Sequence, residues 1–180
     1  MLLIPDPTLA IRGGLVSQGG NSFRKFWYHV VMVEILGGYR FSRLAPISND
    51  YASLPVSEAF NWSDCGAGAG EWCLIAFRSV LRESADETRL WEQDEQAFEE
   101  AAALPGFVHY FRGLPNEHRE CLSFCLWESW AQARASARGP AHAVAIELVP
   151  DTFESFQLEF LTVRKSSSTG SFEFTPAVRN

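Results

Sequence analysis

Alternating and continuously apolar runs along the chain predict four strands between Glu71 and Lys165. Each run has the length of a strand, is either apolar throughout or alternates apolar with polar residues, and is bounded by turn or charged residues. The four runs are Trp72 to Leu81, Phe107 to Arg112, Glu120 to Trp127 and Phe156 to Val163.

Two helical regions separate these strands. The first follows Ser84-Ala-Asp-Glu87, which has the form of a capping box, and continues to about Ala103. The second begins at about Trp130 behind Ser129, breaks at Gly139-Pro140, and resumes from 141 to 149. The resulting order β-α-β-β-α-β predicts an α+β domain at residues 71–165 with a ferredoxin-like sheet and its helices on one face.

The third strand has two different faces, because side chains alternate along a strand. One face is wholly apolar and carries Leu122, Phe124 and Leu126, while the other carries Cys121, Ser123, Cys125 and Trp127. We expect the wholly apolar face to seat the helices. The cysteine face is too apolar for water, so we expect a homodimer in which two copies pack sheet to sheet.

Two segments flank this domain. Residues 1–70 form an N-terminal extension, predicted as an irregular arm, a helix at about 22–36 and a segment draped over the core. Residues 166–180 are rich in serine and read as a loose tail, which Phe172 and Phe174 could pin.

Composition excludes several classes of function. The net charge is −7 and the 15 Lys and Arg residues are scattered, so no basic surface for nucleic acid is expected. The four cysteines form no C-x-x-C pair, which leaves a zinc site without support, and we expect buried thiols in a reducing cell. We expect no signal peptide at the start of the chain, which has no basic region ahead of its apolar residues, and the most apolar run, Phe26 to Leu36, is too short to span a bilayer. A soluble, cytoplasmic protein is therefore expected.

Histidines are the first candidates for chemistry. Apolar Ile146 and Val149 follow His142 at helical spacing, so its ring should face the space between helix and sheet. A neutral imidazole there could act as a general acid or base, or could be a core histidine bonded to a backbone carbonyl. His109, in the middle of the second strand, is a second catalytic candidate or a half-buried sheet residue.

Aromatic and polar side chains could line a pocket for a flat ligand. The candidates for substrate binding are Trp72, Tyr110, Arg112, Phe124, Trp127 and Trp130. Each of the tryptophans could equally be core, and Arg112 at the end of a strand could be a solvated charge. Asp94, Glu99 and Glu100 read as the solvent-exposed face of the first helix.

The domain resembles the dimeric α/β-barrel superfamily, which includes antibiotic-biosynthesis monooxygenases, haem-degrading enzymes and polyketide cyclases. The resemblance lies in Pro105-Gly-Phe-Val-His-Tyr-Phe111, in Leu126-Trp-Glu-Ser129 and in His142, and it covers about half of the chain. It implies an enzyme that needs no cofactor and acts on a small hydrophobic substrate of aromatic or polyketide-like type. The reaction would be an oxygenation, a cyclisation or an isomerisation with His142 as base.

Two alternatives stay open. The protein could be a non-catalytic binding or assembly protein whose cavity is filled by large side chains of the extension, namely Phe26, Trp27, Phe60 and Trp62. It could also bind haem through His142, although the first strand lacks the asparagine that the haem-degrading members place there.

Overall fold

The computed structural model describes residues 40–177. The predicted helix at about 22–36 therefore lies outside the described residues. The described strands are β1 (Gly70–Leu81), β2 (Phe107–Phe111), β3 (Glu120–Trp127), β4 (Phe153–Lys165) and β5 (Phe172–Pro176). The described helices are α1 (Val56–Ala59), α2 (Glu87–Ala102), α3 (Trp130–Ser136), α4 (Pro140–Glu147) and α5 (Val149–Thr152). No helix within this part of the chain is both long and apolar enough to cross a membrane.

The strands form one antiparallel sheet in the order β2-β3-β1-β4-β5. Strands β1 to β4 with α2 and α3 between them have the ferredoxin-like order, so the predicted α+β fold class is confirmed. The tail differs from the prediction, because Phe172–Pro176 is strand β5, and Phe174 lies opposite Val163 of β4. The prediction of a loose tail was therefore wrong for these residues.

The observed caps of the two main helices agree only in part with the caps predicted from the sequence. The cap of α2 is Asp86, whose Oδ1 accepts from the Arg89 amide at 3.0 Å, and not the predicted Ser84. Ser129 caps α3 as predicted, accepting from the Gln132 amide at 3.3 Å and donating its hydroxyl to Gln132 Oε1 at 2.7 Å. In both cases the cap satisfies an amide that has no partner within the helix.

The two faces of the sheet carry different neighbours from those predicted. Leu122, Phe124 and Leu126 are fully buried against residues 41–65, which we call the strap. The helices instead pack on the face of Cys125 and Trp127, through a cluster that includes Ala101, Leu104, Trp130 and Ala133. The prediction that the wholly apolar face seats the helices was thus wrong. We call the two sides the strap face and the helix face.

The strap is part of the main core. Its Phe60 ring lies 4.7 Å from the Phe111 ring and 5.1 Å from the Phe124 ring, both nearly edge to face. The indole nitrogen of Trp62 is buried and donates to the Val56 carbonyl at 2.8 Å. Arg78 of β1 reaches across and donates to two strap carbonyls, those of residues 52 and 54, at 2.6 Å each.

Both faces of β1 and β3 are therefore covered within residues 40–177. The sheet-to-sheet dimer was predicted on the face of Cys121 and Trp127, which the helices occupy. The opposite face carries the strap. A homodimer stays a prediction, but neither β1 nor β3 leaves a bare face for contact with a second copy.

Candidate functional site

A cluster of polar side chains lies between α2 and the end of β2. Tyr110 donates its hydroxyl to Asp94 Oδ1 at 2.6 Å, and the Arg112 Nε pairs with the other oxygen of Asp94. The Arg112 Nη2 also binds Glu95 Oε2 at 3.0 Å. Strand alternation places Tyr110 and Arg112 on the helix face, and Asp94 and Glu95 are neighbours on α2. One carboxylate thus joins a phenol to a guanidinium.

Burial sets the charge states in this cluster. It raises the pKa of the Tyr110 phenol well above its usual value of 10.0, and the charge of Asp94 adds to this effect. Burial lowers the pKa of Arg112, but Asp94, Tyr110 and Glu95 outweigh it, so the net pKa is raised. At neutral pH the cluster therefore holds a protonated phenol and a permanent cation.

Arg112 also lies against aromatic rings. Its guanidinium carbon is 6.0 Å from the centre of the Trp91 ring and 5.9 Å from that of Tyr110. These distances are at the outer limit of cation–π contact. Arg112 is therefore held in place on several sides, rather than solvated as the alternative interpretation had it.

His142 is the third residue of α4, and a carboxylate from α2 holds the start of that helix. The Ala141 amide donates to Glu100 Oε2 at 2.6 Å. Pro140 opens the helix, where its missing N–H costs no hydrogen bond. Gly139 leaves the space for the Glu100 carboxylate, because a Cβ at this position would overlap its oxygen. Helix α4 is thereby fixed on α2 and carries His142 with it.

The His142 imidazole is predominantly neutral near pH 7. Burial lowers its pKa below 6.5, and the charges of Glu100 and Asp94 oppose that effect without cancelling it. The positive end of the α4 dipole also disfavours an imidazolium at this position. Asp94 is therefore common to both parts of the site: it acts on His142 and binds Tyr110 and Arg112. Together these side chains comprise a neutral imidazole, a phenol whose proton Asp94 accepts and a guanidinium that two carboxylates engage.

The remaining predicted site residues divide between the two sheet faces. Trp127 and Trp130 lie on the helix face, and Trp127 is 2% exposed with its indole nitrogen donating to Cys125 Sγ at 3.2 Å. Trp72, Phe124 and His109 lie on the strap face in the main core. The sheet separates these three residues from His142.

His109 is buried on the strap face between aromatic rings. Its ring centre is 6.2 Å from that of Phe41 and 6.1 Å from that of Phe124. Its Nε2 has no hydrogen-bond partner among the described residues. Burial lowers the pKa of His109 to about 4, so the ring is neutral near pH 7. Catalysis by His109 stays a prediction, at a position apart from the cluster around Asp94.

The acids of α2 are the functional candidates that sequence reasoning missed. Asp94 and Glu100 were interpreted as solvent-exposed, whereas both are half-buried and bonded to other elements. Glu99 is exposed as predicted. The available signal was the pair of polar residues Tyr110 and Arg112 on one face of a strand next to the acidic helix.

The cysteines show no sign of reactive or ligand chemistry. All four are free thiols; Cys65, Cys73 and Cys121 are buried as predicted, whereas Cys125 is half-buried. Burial raises the pKa of the Cys125 thiol to about 12, which keeps it protonated. Within residues 40–177 no group of three His, Cys, Asp or Glu side chains has the arrangement of a metal site.

A family model described as PB2B2.08-like matches residues 38–176 of this chain. The comparison with curated proteins finds no relative.

Solved structures match about half of the chain. A protein of Shewanella oneidensis is 15% identical, with 51% of this chain and 90% of that chain covered and a TM-score of 0.46. SnoaB of Streptomyces nogalater, a cofactor-independent oxygenase, is 13% identical, with 54% and 97% covered and a TM-score of 0.44. A dimeric ferredoxin-like protein of unknown function from Thermobifida fusca is 13% identical, with 51% and 90% covered and a TM-score of 0.42.

The superfamily that the sequence resembles is thus represented among the matched structures. At these identities and TM-scores the likeness carries no argument about chemistry, and the fold rests on the strand order described above.

Proposed function

The chain belongs to the PB2B2.08-like family, and we propose that it is an enzyme that removes a proton from a small hydrophobic substrate, with His142 as the general base. One observation carries this proposal. A half-buried, neutral imidazole lies within electrostatic range of Asp94, and Asp94 binds a protonated phenol and a guanidinium. A neutral imidazole in such a setting suits the abstraction of a proton from a substrate.

The proposed reaction begins with transfer of a proton from an acidic O–H or C–H of an aromatic or polyketide-like substrate to His142. The resulting anion is stabilised mainly by delocalisation over the aromatic or polyketide-like substrate, because Asp94 and Glu95 already balance the charge of Arg112. Tyr110 keeps its proton, which it donates to Asp94. A positioned general base contributes a factor of roughly 10² to 10⁴ in rate.

The anion then has three routes that need no cofactor. It can attack a carbonyl of the same molecule, which gives cyclisation, or take up the proton at another carbon, which gives isomerisation. It can instead react with dioxygen. Conversion of a methylene group to a carbonyl uses one O₂, places one oxygen atom in the product and releases the other as water, so the substrate supplies all the electrons.

The test is a thermal-shift screen with phenols, quinones, polyketide-like compounds and haem, followed by turnover assays on each hit with an oxygen electrode and product analysis. His142→Gln removes the base and should lower the rate by roughly 10² or more. Val144→Ala, at a 40% exposed position of the same helix, is the matched control and should leave the rate unchanged. The rate of the native protein should fall as the pH drops through the lowered pKa of His142, because the imidazolium cannot accept a proton.

Equal turnover by the native protein and His142→Gln would remove His142 from the mechanism. Selective stabilisation by haem that is lost in His142→Gln would favour haem binding instead. Sedimentation equilibrium on the same preparation tests the predicted homodimer.

A filled-cavity binding protein is less well supported. Phe60 and Trp62, the described side chains predicted to fill the cavity, lie on the strap face. They therefore do not occupy space beside His142 on the other side of the sheet.

A further inference from the structure

Helix α4, which carries His142, buries none of its own residues 140–147. Its Val144 and Ile146 are 40% and 55% exposed. A helix on the surface of a domain is normally held by burying one apolar side, and α4 does not do so. Leu148, which follows the helix, is buried and anchors its far end. The end that carries His142 therefore depends on another attachment.

The side-chain cap that usually stabilises the start of a helix is missing from α4. Its N-cap position is Gly139, which has no side-chain oxygen to accept from the first amides of the helix. The Glu100 carboxylate accepts from the Ala141 amide at 2.6 Å instead, and a Cβ on Gly139 would overlap this carboxylate. The negative charge also lies at the positive end of the helix dipole. Glu100 thus caps α4 from α2.

The same carboxylate acts on the charge state of His142. Burial lowers the pKa of the imidazole, while the charges of Glu100 and then of Asp94 raise it. Asp94 is itself bound by the guanidinium of Arg112 and by the phenol of Tyr110, whereas Glu100 binds a neutral backbone amide. Glu100 is therefore the main carboxylate that acts on the ring.

We propose that Glu100 is the positioning residue of the candidate site: it holds the first turn of α4 against α2 and so fixes where the His142 ring lies. In this role Glu100 acts through His142 and need not touch the substrate. The inference rests on the proposed function for the role of His142 as base. The attachment of α4 and the effect of the charge on the imidazole are properties of the folded chain, so both can be measured without a substrate.

The test is NMR on the ¹³C,¹⁵N-labelled full chain with three variants. Glu100→Gln keeps an acceptor oxygen and removes the charge, Glu100→Ala removes both, and Glu99→Gln removes the same charge from the exposed neighbouring position. In Glu100→Ala the Ala141 amide loses its partner, so its signal should move and its exchange with solvent should be faster by roughly 10-fold or more. In Glu100→Gln the His142 imidazole should titrate at a lower pKa than in the native chain, because the charge that favours the imidazolium is gone. Glu99→Gln should change neither signal.

The same variants are assayed for turnover on any substrate from the compound screen. The acid side of the pH–rate profile of Glu100→Gln should move to lower pH together with the pKa of His142, which a purely structural role of Glu100 would not cause. The kcat of Glu100→Ala should fall by roughly 10-fold to 10²-fold, because the base is no longer held in position.

The proposal is overturned by an unchanged Ala141 amide in Glu100→Ala, by an unchanged pKa of His142 in Glu100→Gln, or by equal changes in Glu99→Gln. If Glu100→Ala does not fold, the imidazole titrations of Glu100→Gln and Glu99→Gln decide. Both NMR effects in a chain that turns over no compound would support the positioning of His142 by Glu100 and count against the proposed reaction.

Discussion

Replacing Phe60 by alanine tests whether the strap belongs to the cooperative core. Phe60 is 4% exposed and its ring lies within 4.7–6.2 Å of the rings of Tyr51, Trp62, Phe111 and Phe124. Truncation removes these contacts and leaves a cavity that the sheet below cannot close. A buried Phe→Ala change costs about 3–5 kcal/mol of unfolding free energy. A domain in the middle of the ordinary range of about 5–15 kcal/mol stays folded after this loss.

Urea unfolding followed by tryptophan fluorescence and circular dichroism measures the effect. With a slope of about 2 kcal/mol per molar urea, the midpoint of Phe60→Ala should fall by about 2 M. Leu122→Ala, at a fully buried position of β3, should lose about 2–5 kcal/mol, whereas Leu114→Ala, 58% exposed, should stay within about 0.5 kcal/mol of the native chain.

The reasoning fails if Phe60→Ala loses less than about 1 kcal/mol while Leu122→Ala loses several. In that case the strap would be a dispensable cover and the sheet and helices would form the core by themselves.

Two further predictions concern the start of α4 and the buried histidine. Gly139→Ala should lower the unfolding free energy by about 1–3 kcal/mol, because the new Cβ displaces the Glu100 carboxylate and leaves the Ala141 amide unpaired. In a Glu100→Ala background the same change should cost much less, and an equal cost in both backgrounds would contradict this account. Because burial lowers the pKa of His109 from 6.5 to about 4, the unfolded chain binds this proton first. The stabilisation is complete above pH 6.5 and is lost as the pH falls toward 4, so about 2–3 kcal/mol should disappear between pH 7 and 4.5. His109→Leu should remove this part of the pH dependence in urea titrations, and an unchanged pH dependence would refute the assignment.

Sequence patterns predicted an element correctly where the interactions that form it lie within a few residues of one another. The bounds of β3 were predicted correctly at Glu120–Trp127, and the cap of α3 at Ser129. The cap of α2 was missed by two residues, because Ser84 and Asp86 both offer a side-chain oxygen at the right distance from a helical run. The path of the chain after Arg82 makes Asp86, and not Ser84, the cap of α2.

The polar cluster could not be assembled from sequence alone. Asp94 and its partner Tyr110 are 16 residues apart, and Glu100 and its partner amide at Ala141 are 41 residues apart. An acidic residue on a helix has the same local pattern whether water or another element faces it. The burial and pairing that raise the pKa of Tyr110 exist only once β2 lies against α2.

The amino-acid sequence by itself therefore determined the strand and helix order, and with it the ferredoxin-like fold, because alternation, helical spacing and capping act within a few residues. It also defined the two faces of β3. Only the tertiary structure decided that the strap, and not the helices, covers Leu122, Phe124 and Leu126. Burial of apolar surface is non-directional and nearly proportional to area, so an aromatic segment distant in sequence competes with the helices for the same face. Which segment covers this face depends on how well the two whole surfaces fit together. A local sequence pattern carries no information about that fit.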